Sequence, residues 1–178
     1  MNNEDIEQIF RSSNDSNELF DAFQTALSLE IDDVELYKIL LGNPTLSFDE
    51  IAMYTEKLAN EFTKFGFDIY LWTAKLLETK SLNIDALETA LHYYAKAAQI
   101  NPTDHTPFIN AINLYNYEMV FNLNKLIEEF VESGIHSVMK KSLLYKTLAD
   151  HFKKTGDLES QKKYLHLYEK SSGGSLNQ

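Results

Sequence analysis

Apolar residues recur every three or four positions along most of this chain, and little interrupts them. Leu19, Phe20, Phe23 and Leu27 form one run, Ile51, Tyr54, Leu58, Phe62 and Phe65 a second, and Leu123, Leu126, Ile127 and Phe130 a third. That spacing lays one buried face along an α-helix, and no window of similar length alternates as a strand does. Gly (6) and Pro (3) are scarce among 178 residues, whereas a sheet protein needs both for its frequent turns. The chain is therefore expected to be all-α.

Polar punctuation places the helix starts. Asp15 and Glu18, Asp32 and Glu35, and Ser47 and Glu50 each set a short polar side chain three residues before a Glu. At that spacing the pair can satisfy each other's orphan backbone N–H groups. Thr106 before Pro107, and Asp157, are further candidate caps. Gly42, Gly66, Gly134 and Gly156 stand where a left-handed residue would close the preceding helix. These marks predict helices over 4–12, 16–29, 33–41, 48–65, 67–79, 84–100, 106–117, 119–133, 137–155 and 158–170, with 171–178 as a flexible tail. The length predicts a single domain over 1–170. Ten helices on short connections form either a closed helical bundle or a stack of antiparallel hairpins, and internal repeats separate the two.

Such a repeat is present. Ala90, Tyr94, Ala97 and Pro102 follow one another at intervals of four, three and five, and Phe108, Ala111, Ile112 and Tyr115 recur 37 residues on as Tyr145, Leu148, Ala149 and Phe152. Ile69, Trp72, Thr73 and Leu76 read as an earlier copy, separated from Ala90 by an insertion around Lys80 to Ile84. On these residues the chain resembles tetratricopeptide repeat proteins over about 67–170, with 1–66 as additional helices that cap the array or form a diverged hairpin. The resemblance implies stacked helical hairpins, each too small to bury its apolar side alone. It also implies a concave groove, lined by the first helix of each pair, that holds a peptide or helix of another protein. The groove-facing positions are then Tyr70, Ala74, Asn110, Asn113, Tyr117, Lys146, Thr147, Asp150 and Lys153. Asn110 and Asn113 lead, because an amide both donates and accepts and so can hold a peptide backbone whatever its side chains. Some members of the family grip a terminal carboxylate with a cluster of cations. Here Leu143 and Thr147 occupy two such places and Arg11 is the sole arginine, so that grip is not expected, although Lys146 and Lys153 can attract an acidic segment.

No signature of catalysis accompanies the repeats. The chain has no cysteine, no G-x-S-x-G, no glycine-rich phosphate loop and no H-E-x-x-H, and its five histidines never form a close pair in sequence. Asp32 with Asp33, Asp49 with Glu50, and Glu128 with Glu129 read as caps or solvated faces. No catalytic residue, metal or cofactor is expected. A net charge of −11 with one arginine argues against nucleic acid, and the absence of a long apolar run or a basic leader points to a cytoplasmic protein that spans no membrane. The charge is uneven, −15 over residues 1–134 and +4 over 135–178. The expected function is a non-catalytic, adaptor-like protein–protein interaction module. The alternatives are a small acidic chaperone of the tetratricopeptide type from bacterial secretion systems, or a structural protein that self-associates into a homo-oligomer by this charge asymmetry.

Overall fold

A computed structural model describes residues 2–80, 84–118 and 122–173, and among them there are ten α-helices and no strand. They are α1 (Asn3–Ser12), α2 (Ser16–Ser28), α3 (Val34–Leu41), α4 (Phe48–Glu61), α5 (Gly66–Lys80), α6 (Ile84–Ile100), α7 (Thr106–Ala111), α8 (Asn122–Ser133), α9 (Lys141–Thr155) and α10 (Leu158–Gly173). Single 3-10 turns follow α4, α7 and α8. The predicted start of the eighth helix at 119 and the insertion at 81–83 lie outside the described residues, as do 174–178.

The caps explain why most boundaries fall where they do. Ser47 and Glu50 exchange bonds at the start of α4, and Asn2 with Asp5 does the same for α1. At α3 the cap is Asp33 and not Asp32, its carboxylate accepting from the Glu35 and Leu36 amides. Asp157 accepts from Ser160 at the head of α10. These bonds favour the ionised form, so the Ser47 contacts hold the Glu50 carboxyl below its ordinary pKa and those of Ser160 do so for Asp157. Thr106 turns out to be the first helical residue of α7, and its amide donates to Asp104. Of the four glycines, only Gly156 is left-handed, at φ 81. Gly134 is needed for space instead: a Cβ there would lie 2.7 Å from the Phe108 ring.

Two large adjoining cores and a smaller cluster of Ala98, Phe108, Val138 and Leu144 hold nearly all the buried apolar residues among those described. The first joins α1 to α4 around Phe23, Tyr37 and Tyr54, all essentially without exposure, with Phe23 edge-on to Tyr54 at 4.7 Å between ring centres. The second runs from α5 to α10 and contains Ala90, Tyr94 and Ala97, each fully buried. Helix α5 is the seam: Ile69 and Leu76 pack into the first core, Tyr70, Ala74 and Leu77 into the second. A hydroxyl pair, Thr55 with Thr73 at 2.8 Å, bridges α4 and α5 inside it. Consecutive helices pack in pairs, most extensively α5 on α6 and α9 on α10, while α1, α3 and α5 touch in order and α7 touches α9. Helices α1 to α4 thus share the first core with Ile69 and Leu76 of α5, and α4 also reaches the second core through Ala59. No described helix is long and apolar enough to cross a membrane.

Four helix boundaries need correction. The helix expected over 48–65 ends at Glu61, where Phe62 leaves the helical conformation and a 3-10 turn covers Thr63–Phe65. The helix predicted over 106–117 ends at Ala111, passes through a 3-10 turn, and is extended by Tyr115. The ninth helix begins at Lys141 instead of 137, because Gly134–His136 forms a 3-10 turn and the Met139 amide donates to the Thr103 carbonyl. The last helix continues through Ser171 and Ser172 to Gly173, residues expected to be tail.

Candidate functional site

The early end of α7 opens a recess between α7 and α9. Asn124, buried on α8, faces the loop after α7 and treats it as a neighbouring strand would: its side-chain carbonyl accepts from the Asn116 amide at 3.1 Å, and its side-chain NH2 donates to the Asn116 carbonyl at 2.9 Å. Asn116 adds its own turn by accepting from the Glu118 amide. With both backbone groups of Asn116 engaged outside a helix, α7 cannot continue, and Tyr115 and Tyr117 swing over α9.

There they enclose His151. This side chain is 1% exposed; its Nε2 lies 2.7 Å from a Glu128 oxygen and its Nδ1 3.0 Å from the Tyr117 hydroxyl. The Tyr115 ring meets it edge-on at 4.4 Å, and Phe152 packs beside it at 5.1 Å. Burial pushes both tyrosine hydroxyls up, and the Glu128 charge adds to the shift, so both stay protonated. A carboxylate can only accept, so Nε2 carries a hydrogen, and in neutral imidazole Tyr117 then donates to Nδ1. Glu128, expected on a solvated face, is therefore half-buried and committed to His151.

Tyr117, His151 and Glu128 stand in the order of a nucleophile, a base and an orienting acid. The chemistry of each member argues for support instead. Both imidazole nitrogens are occupied by the protein, the ring has almost no surface, and the raised pKa of Tyr117 disfavours the phenolate a nucleophile needs.

Above this base lies a cleft of about 260 Å³ between α7 and α9. One wall carries Asn110 and Asn113, the other Thr147, Asp150 and Lys154, with Tyr117 at the end. Five of the nine residues named from the repeat frame, Asn110, Asn113, Tyr117, Thr147 and Asp150, thus share one recess. Lys146 and Lys153 are exposed but do not line it; Lys154 does, its ammonium 5.5 Å from the centre of the Tyr117 ring. Tyr70 and Ala74 do not line this recess. Ala74 has no exposed surface, and Tyr70 is packed on the Tyr93 ring at 5.7 Å with its hydroxyl on Glu56. The side of α5 that carries them faces α6, the outcome of a phase set one step wrong on that helix. Trp72, placed with the packing residues of the same helix, is 39% exposed, and its indole N–H donates to the Lys38 carbonyl.

The repeat frame places neither His151 nor Lys154 in the groove. His151 carried a signal all the same, since it shares the phase of Leu144, Leu148 and Phe152, the buried face of α9. A histidine in the core phase of a helix requires polar partners. Among the described residues no group of three or more histidine or acidic side chains is arranged to hold a metal ion. Comparison with protein-family models, with curated proteins and with solved structures gives no match to this chain.

Proposed function

We propose that this chain is a non-catalytic protein-interaction module of the stacked-hairpin kind, which holds an extended segment or helix of a partner protein against the face where α7 meets α9. The single observation that carries the reading is the cleft whose opposed walls present Asn110 and Asn113 on one side and Thr147 and Asp150 on the other. No described residue bonds the side-chain amides of Asn110 and Asn113, so their donors and acceptors remain available to a peptide backbone. The succession of contacts between α1, α3 and α5, and between α7 and α9, fits a stack in which the first helix of each hairpin lines a common side. The chain would work in the cytoplasm and need no cofactor.

The test is comparative capture. The full chain and an Asn110→Ala/Asn113→Ala double variant, matched for helicity and melting temperature, are used to capture proteins from the source cell. A partner retained by the first and lost by the second supports the reading; a partner held equally by both contradicts it.

Self-association has its own supporting observation, the −15 and +4 charges of residues 1–134 and 135–178. It predicts a sedimentation coefficient that falls as salt shortens the Debye length. A value unchanged from low to high salt removes this second reading.

A further inference from the structure

Asp150 and Lys154 lie one turn apart on α9, the arrangement in which opposite charges ordinarily pair. Here they do not. Both are exposed, both line the cleft, and neither joins an ion pair with any described residue. The Lys154 ammonium lies over the Tyr117 ring instead, and Tyr117 is fixed from below by its bond to His151. A cation and an anion are thereby held apart in one recess, each with its charge open to a ligand.

Building on the interaction reading above, we infer that the cleft selects an extended partner segment carrying a basic and an acidic side chain two residues apart, a Lys/Arg-x-Asp/Glu pattern read by Asp150 and Lys154. The spacing follows from simple geometry. Residues one turn apart on a helix have Cβ atoms about 5–6 Å apart. In an extended strand side chains i and i+2 leave the same face and are about 6.6 Å apart, from a rise of about 3.3 Å per residue. Two neighbouring same-face side chains of a strand therefore match the two charges of α9. On the opposite wall Asn110 and Asn113 meet the backbone of the segment, while Thr147, on the same helix as the two charges, donates its hydroxyl to the Leu143 carbonyl and is left with an acceptor. A segment with two cations would bring like charge to Lys154, and one with two anions would bring it to Asp150. Rejection therefore comes from the same two residues as attraction.

Fluorescein-labelled heptapeptides on a Gly/Ser background, carrying Lys-x-Glu, Lys-x-Lys, Glu-x-Glu or Lys-x-x-Glu, test this by anisotropy at low salt with the full chain. The wild type should bind Lys-x-Glu at least about tenfold more tightly than the other three, a difference that a single close charge pair can supply. Asp150→Lys should move the preference to Glu-x-Glu, a change that a misfolded variant would not produce. Equal affinity for all four peptides, no binding of Lys-x-Glu up to millimolar concentration, or an unchanged preference in the variant overturns the inference. If a partner captured as described above is lost by Asn110→Ala/Asn113→Ala but kept by Asp150→Lys, the charge pattern fails while the interaction reading stands.

Discussion

Two buried asparagines do opposite things in the two halves of this molecule. In the first half Asn43 closes structure: its side-chain NH2 donates to the Phe10 and Ser13 carbonyls at the end of α1 and ties that end to the turn after α3. In the second half Asn124 opens structure, engaging the backbone of Asn116 so that α7 stops and two tyrosines turn over α9. Around Asn43 the core is Phe23, Tyr37, Tyr54 and aliphatic residues. Around Asn124 a histidine, a glutamate and a tyrosine are bonded in series beneath a polar cleft. Burial of polar groups is costly without partners. Both halves hold such groups, Ser13, Asn43 and Thr55 in the first and Thr73, Asn124 and His151 in the second, but only His151 is an ionisable one, and its partners lie at the base of the cleft between α7 and α9.

The contrast can be broken at several points. Phe23→Ala should have the largest effect, about 3–5 kcal/mol lost in urea denaturation, since a fully buried ring leaves a cavity among Tyr37 and Tyr54. A loss below about 1 kcal/mol would mean that the first core is loosely packed.

Alkaline pH should act next, on both halves. Burial pushes the Tyr37 hydroxyl up to about 12, with Asp32 and Asp33 adding to it, and burial with the bonded carboxylates of Glu78 and Glu132 raises Tyr94 and Tyr164 further. A folded-state pKa above the unfolded value of about 10 means that the unfolded chain releases its protons first. Stability is then fully present below about pH 10 and falls as the pH rises toward 12. Urea midpoints measured at intervals from pH 8 to 11.5 should be flat and then drop, and a midpoint that rises through this window would contradict the assignment.

His151→Phe keeps an aromatic ring, a slightly larger one, but removes both hydrogen bonds, leaving Glu128 half-buried without its partner; about 1–3 kcal/mol should be lost, together with affinity for any cleft ligand. If His151 only fills space, stability will be near that of the wild type. Asn124→Ala should weaken the loop by about 1–2 kcal/mol and raise amide exchange at Asn116 and Tyr117 while the amides of α3 keep theirs. Uniform loosening of the whole chain would show that the loop is not separately held. The smallest effect belongs to Ser47→Ala, which removes one half of a reciprocal cap and should cost about 1 kcal/mol without any change at the cleft.

The same contrast separates what could be read in the sequence from what could not. Helix positions follow from local chemistry, the three-and-four spacing and the capping residues, and of the eight helices whose preceding residues are described, all but α9 start within one residue of the expected place. The end of α7, the boundary that departs most, and the start of α9 sit in the second half. That α7 ends at Ala111 depends on Asn116 and Asn124, a contact across the 119–121 segment that periodicity does not encode. Among the expected cleft residues, Asn110, Asn113, Thr147 and Asp150 came together because one register places α7 and α9 correctly. Tyr70 and Ala74 were lost because α5 packs against two cores at once and offers no face with a single apolar stripe. Gly134 likewise looks like a helix terminator in sequence, yet its small size serves the Phe108 ring.

The most direct test of a partner-holding cleft is site-specific photo-crosslinking in the source cell. A benzophenone amino acid placed at the exposed Asn113 is compared with one at the exposed Lys57 on α4. The cleft reading predicts a discrete crosslinked partner band from position 113 that disappears when Asn110→Ala is added, and none from position 57. Equal crosslinking from both positions, or from position 57 alone, would contradict it.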